Sequence, residues 1–174
     1  EYGFCLVQTS DSGYGLAGST CSFGAGNHDS WLVKTDASGN MEWNQTYGGA
    51  DVDGTTSLIQ TNDCGYVLSG TTRSSGYGED DFWLVKTDKM GNIMWNMTYG
   101  GDGNDISSSL VEISDGGYAL AGYTNSVGVG NFDAWLVMTD EYGNIPEFPS
   151  WMIFLLFLIF TVWTLVINQN HSKS

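Results

Sequence analysis

The stretch WLVKTDASGNMEWNQTYGG, residues 31–49, returns as WLVKTDKMGNIMWNMTYGG at residues 83–101 and begins again as WLVMTDEYGN at residues 135–144. Both recurrences keep an offset of 52 residues without insertion. Self-similarity at a fixed period of this length is the signature of a repeat architecture.

The rest of each period repeats at the same offset. YGLAGST from Tyr14 becomes YVLSGTT from Tyr66 and YALAGYT from Tyr118. Each period holds four short segments rich in Val, Leu, Tyr, Trp and Thr, separated by Gly, Asp, Ser and Asn turns, and none carries a helical apolar stripe. The DSG, DCG and DGG triplets predict tight hairpins that need positive φ. We therefore predict an all-β chain of consecutive four-stranded antiparallel sheets, the pattern of β-propeller blades.

The repeat region spans residues 1–145 and holds about three blades, of which the third is incomplete. GNIPEFPSW replaces its Trp-containing block, so three strands are expected there. Propellers close with about four to eight blades, and three blades leave open edges. Either the chain is the C-terminal part of a larger propeller, or further blades come from another chain.

Charge is concentrated in the repeats. The chain has 20 Asp and Glu against 5 Lys and Arg, a formal charge of -15. A surface for nucleic acid or an anionic membrane needs clustered Lys and Arg, so neither is expected as a partner. Three cysteines do not make a closed disulfide framework.

A hydrophobic run follows the repeats. WMIFLLFLIFTVWTLVI, residues 151–167, has no charge, and with its flanks it approaches the ~30 Å hydrocarbon core of a bilayer. We predict a PEFPS linker at 146–150, a transmembrane helix at 151–168 and a cytoplasmic tail at 169–174. A buried core helix is the alternative. Positively charged flanks of a membrane span favour the cytoplasmic side. Lys173 in the tail and the acidic repeats therefore predict a single-pass protein with the repeat domain outside the cell membrane.

The repeats resemble bacterial and archaeal surface-protein propeller repeats. The stretch Asp36-x-x-Gly39-x-x-x-Trp43 is also similar to the tryptophan-docking motif of quinoprotein-like propellers, in which the turn and the Trp dock one blade on the next. The resemblance implies blade-docking roles for five tryptophans: Trp31, Trp43, Trp83, Trp95 and Trp135. Residues 146–150 with the following span resemble archaeal PEF-type C-terminal anchors, although the usual basic cluster is reduced to Lys173.

Two sets of side chains are candidates for ions or modification. Asp51 with Asp53, and Asp102 with Asp105, resemble pieces of a Ca²⁺ loop, but both lack the third acid and the terminal Glu of a full loop. We weigh bound Ca²⁺ against solvated loop acids, and no other cofactor is expected. N-glycosylation sequons begin at Asn44 and Asn96, inside the repeated WNxTYGG block.

The sequence gives little support for a catalytic function, because no Ser-His-Asp set can be assembled in one external site. The leading hypothesis is a non-catalytic, membrane-anchored extracellular module for adhesion or for binding a glycan or protein ligand. One alternative is a glycan-cleaving or quinoprotein-like surface enzyme whose active site lies in blades outside this chain. Another is a structural component of the cell envelope.

Overall fold

A computed structural model describes residues 1–147. The predicted span at 151–168, the predicted cytoplasmic tail at 169–174 and the last three linker residues lie outside the described residues. Within residues 1–147, no helix is long and apolar enough to cross a membrane.

The described chain is all-β, as the repeat pattern predicts. Its strands are seven or eight residues long and recur at the repeat offset: β1 Tyr2–Gln8, β2 Tyr14–Thr20, β3 Asp29–Thr35, β4 Met41–Tyr47, β5 Asp53–Gln60, β6 Tyr66–Thr72, β7 Asp81–Thr87, β8 Ile93–Tyr99, β9 Asp105–Glu112, β10 Tyr118–Thr124 and β11 Asp133–Thr139.

The strands form three antiparallel sheets of consecutive strands. Sheet 1 has the order β1-β2-β3-β4 and sheet 2 the order β5-β6-β7-β8. Sheet 3 has the order β9-β10-β11 within the described residues. The expectation of antiparallel sheets built from neighbouring strands is therefore confirmed.

The turn between the third and fourth strands is set by one aspartate. In sheet 1 the Asp36 carboxylate accepts hydrogen bonds from the backbone N–H of Ser38 at 2.8 Å and of Asn40 at 2.9 Å. Gly39 completes the turn with φ of 83°, a conformation that costs glycine little. The same arrangement recurs at Asp88 and at Asp140.

In the turn between the first and second strands, the residue with positive φ comes one position before the glycine that ends all three triplets. Positive φ falls on Ser12 in sheet 1 and on Cys64 in sheet 2. Gly13 is needed for a different reason, because a Cβ there would overlap the carbonyl oxygen of Thr35. The triplets therefore combine a tight turn with a close approach to the third strand.

Successive sheets stack face to face and bury two apolar clusters. Strand β5 packs on β1, β2 and β3, and β9 packs in the same way on β5, β6 and β7. The first cluster joins Ala17, Leu32 and Tyr47 of sheet 1 to Leu58, Tyr66, Leu68, Trp83 and Val85 of sheet 2. The second joins Val67, Phe82, Leu84 and Tyr99 of sheet 2 to Leu110, Tyr118, Leu120 and Val137 of sheet 3.

Candidate ligand-binding clefts

Each junction between neighbouring sheets opens into a cleft at the end that carries the β1–β2 type of turn. Cleft A, between sheets 1 and 2, has a volume of about 500 Å³, and cleft B, between sheets 2 and 3, about 330 Å³. Both fall within the size range of small-ligand sites. Ten lining positions of cleft A correspond, at the 52-residue offset, to ten of cleft B: Ser10 and Asn62, Asp11 and Asp63, Lys34 and Lys86, Glu42 and Met94, Trp43 and Trp95, Gln60 and Glu112, Cys64 and Gly116, Tyr66 and Tyr118, Lys89 and Glu141, Met90 and Tyr142.

Four of these positions keep their residue type and form the floor: an Asp, a Lys, a Trp and a Tyr. In cleft A, the buried Lys34 Nζ donates to Thr35 O and lies 2.8 Å from both Asp11 Oδ2 and Glu42 Oε2. Burial works to lower the pKa of Lys34, but its hydrogen bonds with Asp11 and Glu42 outweigh that effect and raise the pKa. The lysine is therefore held as a charged cross-link between two acids.

Cleft B has the same floor, but its lysine has one acidic partner fewer. Lys86 Nζ lies 3.0 and 2.8 Å from the two carboxylate oxygens of Asp63, and Met94 stands where Glu42 stands in cleft A. Burial of Asp63 works to raise its pKa, but hydrogen bonds from Lys86 and Thr61 lower it to about 2. The ion pair is present in both clefts, while its surroundings differ.

The aromatic part of each floor comes from two sheets. Trp43 of sheet 1 meets Tyr66 of sheet 2 edge to face, with ring centroids 5.8 Å apart. The corresponding pair across the next junction, Trp95 and Tyr118, has its centroids 6.0 Å apart. Both indole rings are partly exposed, whereas both tyrosines are buried, and burial raises the pKa of Tyr118 to about 12.

A second tyrosine on each fourth strand makes a hydrogen bond across the junction. The hydroxyl of Tyr47 donates to the carbonyl oxygen of Gly91 at 2.8 Å, and that of Tyr99 to Gly143 at 2.6 Å. Each acceptor lies in the Asp-x-x-Gly turn of the next sheet. The Trp and Tyr of one fourth strand thus contact the following sheet at its turn.

The other six equivalent positions carry different residue types in the two clefts, and we call them the rim. Cleft A has two lysines and two acids, so its formal charge is zero. Cleft B has one lysine against three acids, because Glu112 replaces Gln60 and Glu141 replaces Lys89. Tyr142 also replaces Met90, which gives cleft B a second exposed aromatic position. The two clefts therefore share a constant floor and differ in the charge and aromatic content of their rims.

The remaining predicted tryptophans lie away from the clefts, on the third strands. Trp83 is buried in the first apolar cluster, and its ring N–H donates to Asn96 at 3.3 Å. Trp31 donates to Asn44 in the same way, at 3.1 Å. Trp135 packs on Phe82 of sheet 2 with centroids 4.8 Å apart.

Both predicted glycosylation sites are exposed. Asn44 lies on β4 and Asn96 on β8, the outermost strand of its sheet in each case. Each side chain presents its oxygen to a tryptophan N–H of the neighbouring strand. Modification of either amide stays a prediction.

The four aspartates proposed for calcium divide into two kinds. Asp51 and Asp102 are exposed in loops. Asp53 is fully buried, where it accepts hydrogen bonds from Gly49 N–H at 2.8 Å and from Ser74 Oγ at 2.6 Å. Asp105 takes the same position in sheet 3, but its Oδ1 atom is buried without a hydrogen-bond partner.

The structure brings each of these buried acids next to another buried aspartate. A Cβ at Gly48 would lie 2.5 Å from Asp53 Oδ2 and 2.6 Å from Asp29 Oδ1, so both carboxylates lie close to that one glycine. At the next junction, Asp81 is the neighbour of Asp105. Burial raises the pKa of Asp81, and the charges of Asp105 and Asp80 add to that effect, against a hydrogen bond from Tyr77 N–H.

These acid pairs do not amount to a recognisable metal centre. Across residues 1–147, no group of three or more His, Cys, Asp or Glu side chains is arranged to hold a metal ion. Calcium binding therefore stays a prediction without further geometric support in that part of the chain.

The clefts were missed by the sequence reasoning, although a signal was present. Asp11 and Lys34 both recur 52 residues later, in a chain with only five basic residues. A lysine retained at one repeat position, together with a retained aspartate, could have indicated a buried ion pair.

Comparison with protein-family models found no match, and comparison with curated proteins found none either.

Proposed function

We propose that this chain is a non-catalytic ligand-binding module of the cell surface, built from β-propeller blades and held on the outer side of the membrane by the segment 151–168. Its ligands bind in the inter-sheet clefts. Glycans are the class that the clefts fit best, with protein ligands as the competing class.

The observation that carries this proposal is the repetition of one cleft with a constant floor and a variable rim. Packing of the sheets does not require the charged and aromatic side chains at the rim, or the differences between the rims of the two equivalent clefts. The partly exposed rings of Trp43 and Trp95 offer apolar faces, and the carboxylates beside them offer hydrogen-bond acceptors. A sugar ring has both an apolar face and hydroxyl donors, so it matches this combination.

The propeller interpretation is supported by the way the sheets follow one another. Each sheet is built from consecutive antiparallel strands, and the first strand of each sheet packs on the first three strands of the sheet before it. Propeller blades are arranged around a central channel, and this repeated order of packing is compatible with that arrangement.

Anchoring and orientation are supported by the sequence. The segment 151–168 has the length and composition of a membrane span, and all 20 acids of the chain lie on its N-terminal side. A short C-terminal tail with Lys173 fits the cytoplasmic side.

Binding to a glycan array tests the proposal, with the full chain in detergent micelles and with Ca²⁺ or EDTA present. Tyr142→Ala removes an exposed ring from the rim of cleft B, and we expect at least a tenfold loss of affinity for the bound glycan. Tyr77→Ala is the matched control, because Tyr77 is also exposed but lies in the β6–β7 loop at the other end of the sheet.

Unchanged glycan binding by Tyr142→Ala and by the cleft A variant Met90→Ala would remove the clefts from the ligand site. A wild-type chain that binds no glycan on the array would contradict the glycan assignment. Dependence of binding on Ca²⁺ would add the ion as a partner.

A further inference from the structure

Cleft B has an excess of negative charge that cleft A lacks. Its lining sets Lys86 against Asp63, Glu112 and Glu141, and Lys86 pairs with Asp63, so two carboxylates are left over. Neither Glu112 nor Glu141 forms an ion pair within residues 1–147. The lysines and acids of cleft A balance each other. A positively charged ligand would therefore meet uncompensated carboxylates in cleft B and not in cleft A.

The three acids of cleft B act on one point of its floor. Burial is the main cause of the raised pKa of Tyr118, and the charges of all three acids add to that effect. At the equivalent Tyr66 of cleft A, burial also raises the pKa, but the charge of Lys34 works to lower it. The carboxylates of cleft B therefore surround its aromatic floor without a lysine that offsets them at the tyrosine.

The same cleft offers aromatic rings to a cation. Trp95 on the floor is partly exposed, and Tyr142 on the rim is 60% exposed. The charge of Glu141 and a hydrogen bond with its side chain raise the pKa of Tyr142, so this carboxylate lies beside the tyrosine hydroxyl. An ammonium group is attracted both to the face of an aromatic ring and to a carboxylate. Cleft A has Lys89 and Met90 at the positions of this pair.

The second free acid stands at a position that has a packing role in cleft A. There Gln60 Oε1 accepts a hydrogen bond from the backbone N–H of Ser10 at 2.8 Å, which links sheet 2 to the first turn of sheet 1. Glu112, at the equivalent position of cleft B, has an exposed side chain. Gln and Glu have the same shape, so this position changes the charge of the cleft and not its size.

We propose that cleft B binds a sugar residue with a protonated amine, such as glucosamine within an oligosaccharide, in preference to the neutral N-acetylated sugar. Cleft A does not distinguish the two. The apolar face of the sugar packs on the exposed rings of Trp95 and Tyr142, and Glu112 and Glu141 neutralise its ammonium group. The inference rests on the proposed glycan-binding function and adds the chemical class of one ligand.

Two tetrasaccharides with the same backbone test the proposal: the tetramer of glucosamine and the tetramer of N-acetylglucosamine. Both are titrated into the full 174-residue chain in detergent micelles and followed by isothermal calorimetry. We expect the glucosamine tetramer to bind at least tenfold more tightly. Added salt should reduce this difference, because it screens the attraction between the amines and the carboxylates.

Charge changes at one rim position assign the preference to its cleft. Glu141→Lys gives cleft B the formal charge of cleft A, so we expect the preference to fall below twofold. Glu79→Lys is the matched control, because it makes the same charge change in the exposed β6–β7 loop, at the other end of sheet 2, and should keep the preference. Adding Lys89→Glu to the Glu141→Lys chain moves the excess of negative charge into cleft A. The preference should then return, which also shows that the Glu141→Lys chain is folded.

Equal affinities of the wild-type chain for the two tetramers would overturn the inference, and the proposed glycan binding would still stand. A preference that survives Glu141→Lys, or one that Glu79→Lys also abolishes, would assign the effect to the general negative charge of the chain and overturn the inference as well.

A cationic peptide is the competing ligand. Tighter binding of tetralysine than of the glucosamine tetramer, lost in Glu141→Lys, would assign cleft B to protein segments and overturn the amino-sugar assignment. Failure of both tetramers to bind would also overturn it, whereas the glycan array decides the proposed function separately.

Discussion

Leu84 and Leu136 occupy the same repeat position in neighbouring sheets, yet one is fully buried and the other is mostly exposed. Their local sequences are nearly identical, WLVKTD and WLVMTD, and both lie on the third strand of an antiparallel sheet. The difference comes from the following sheet, which covers Leu84 and which sheet 3 lacks within the described residues.

This contrast shows where the stability of the stack arises. A single sheet has two apolar faces and cannot bury either one alone, so each sheet depends on its neighbours. Interior positions should therefore be sensitive to substitution, while the same positions on the end sheets should be tolerant.

The largest expected difference is between Leu84→Ala and Leu136→Ala. Truncation at Leu84 removes buried apolar surface and leaves a cavity, so we expect the free energy of unfolding to fall by about 2–5 kcal/mol. Leu136→Ala should change it by less than about 0.5 kcal/mol. Urea denaturation followed by tryptophan fluorescence checks this, at concentrations low enough to exclude association.

Equal losses for the two leucine variants would contradict the contrast. The pair of Leu58→Ala and Leu6→Ala repeats the test on the first strands of the sheets, with the buried member again the sensitive one.

The second-largest effect is on the pH dependence of stability. It compares Asp81→Asn in sheet 2 with Asp133→Asn, at the same repeat position in sheet 3. The pKa of Asp81 is raised above its ordinary value of 3.8 in the folded state, so the folded chain holds this proton more tightly than the unfolded chain does. The contribution of Asp81 to stability is therefore lost as pH rises from 3.8 through the raised pKa.

We expect Asp81→Asn to be more stable than the wild-type chain at neutral pH and to lose that advantage near pH 3.8. Asp133→Asn, at the half-buried equivalent position, is the matched control, since no further sheet lies beside sheet 3 within the described residues. Thermal unfolding measured across the pH range checks both, and an advantage for Asp81→Asn that is independent of pH would contradict the explanation.

A smaller effect separates Tyr99→Phe from Tyr123→Phe. The hydroxyl of Tyr99 is buried and bonds to Gly143 of the next sheet, so its removal should cost about 1 kcal/mol of unfolding free energy. Tyr123 is exposed on sheet 3, and its hydroxyl should be dispensable. Equal costs in denaturant titrations would show that the inter-sheet hydrogen bond is not the cause.

The smallest effect compares Asp63→Asn with Asp115→Asn. Asp63 pairs with Lys86, and its pKa of about 2 means that this pair stabilises the fold above pH 3.8 and is lost as pH falls toward 2. Because the Asp63 side chain is about half exposed, we expect less than about 1 kcal/mol.

Asp115 holds the equivalent position in sheet 3, where Met138 replaces the lysine. Its substitution should leave acid unfolding unchanged. A similar shift in the acid unfolding midpoint for both variants would assign the effect to general charge rather than to the ion pair.

Much of this fold could be predicted from the sequence because the repeat itself carries the information. An offset of 52 residues without insertion aligns every strand with its copies, so segments such as WLVKTD and YVLSGTT could be assigned together rather than one at a time. The turn residues Asp36 and Gly39 marked strand ends for the same reason.

The clefts could not be predicted in that way, because they depend on how strands pair and sheets stack. Asp11 and Lys34 are 23 positions apart and meet only through the pairing of the β1–β2 turn with the end of β3. Adjacency in the sequence groups Asp53 with Asp51, but the fold places Asp53 near Asp29 instead.

The clefts belong to the boundaries between sheets and not to the sheets themselves. Each internal duplication of 52 codons would therefore create one new boundary, and with it one more cleft whose rim is free to diverge. Under the proposed function, the valency of such a protein toward a polymeric ligand would grow with the length of its gene, without any new architecture.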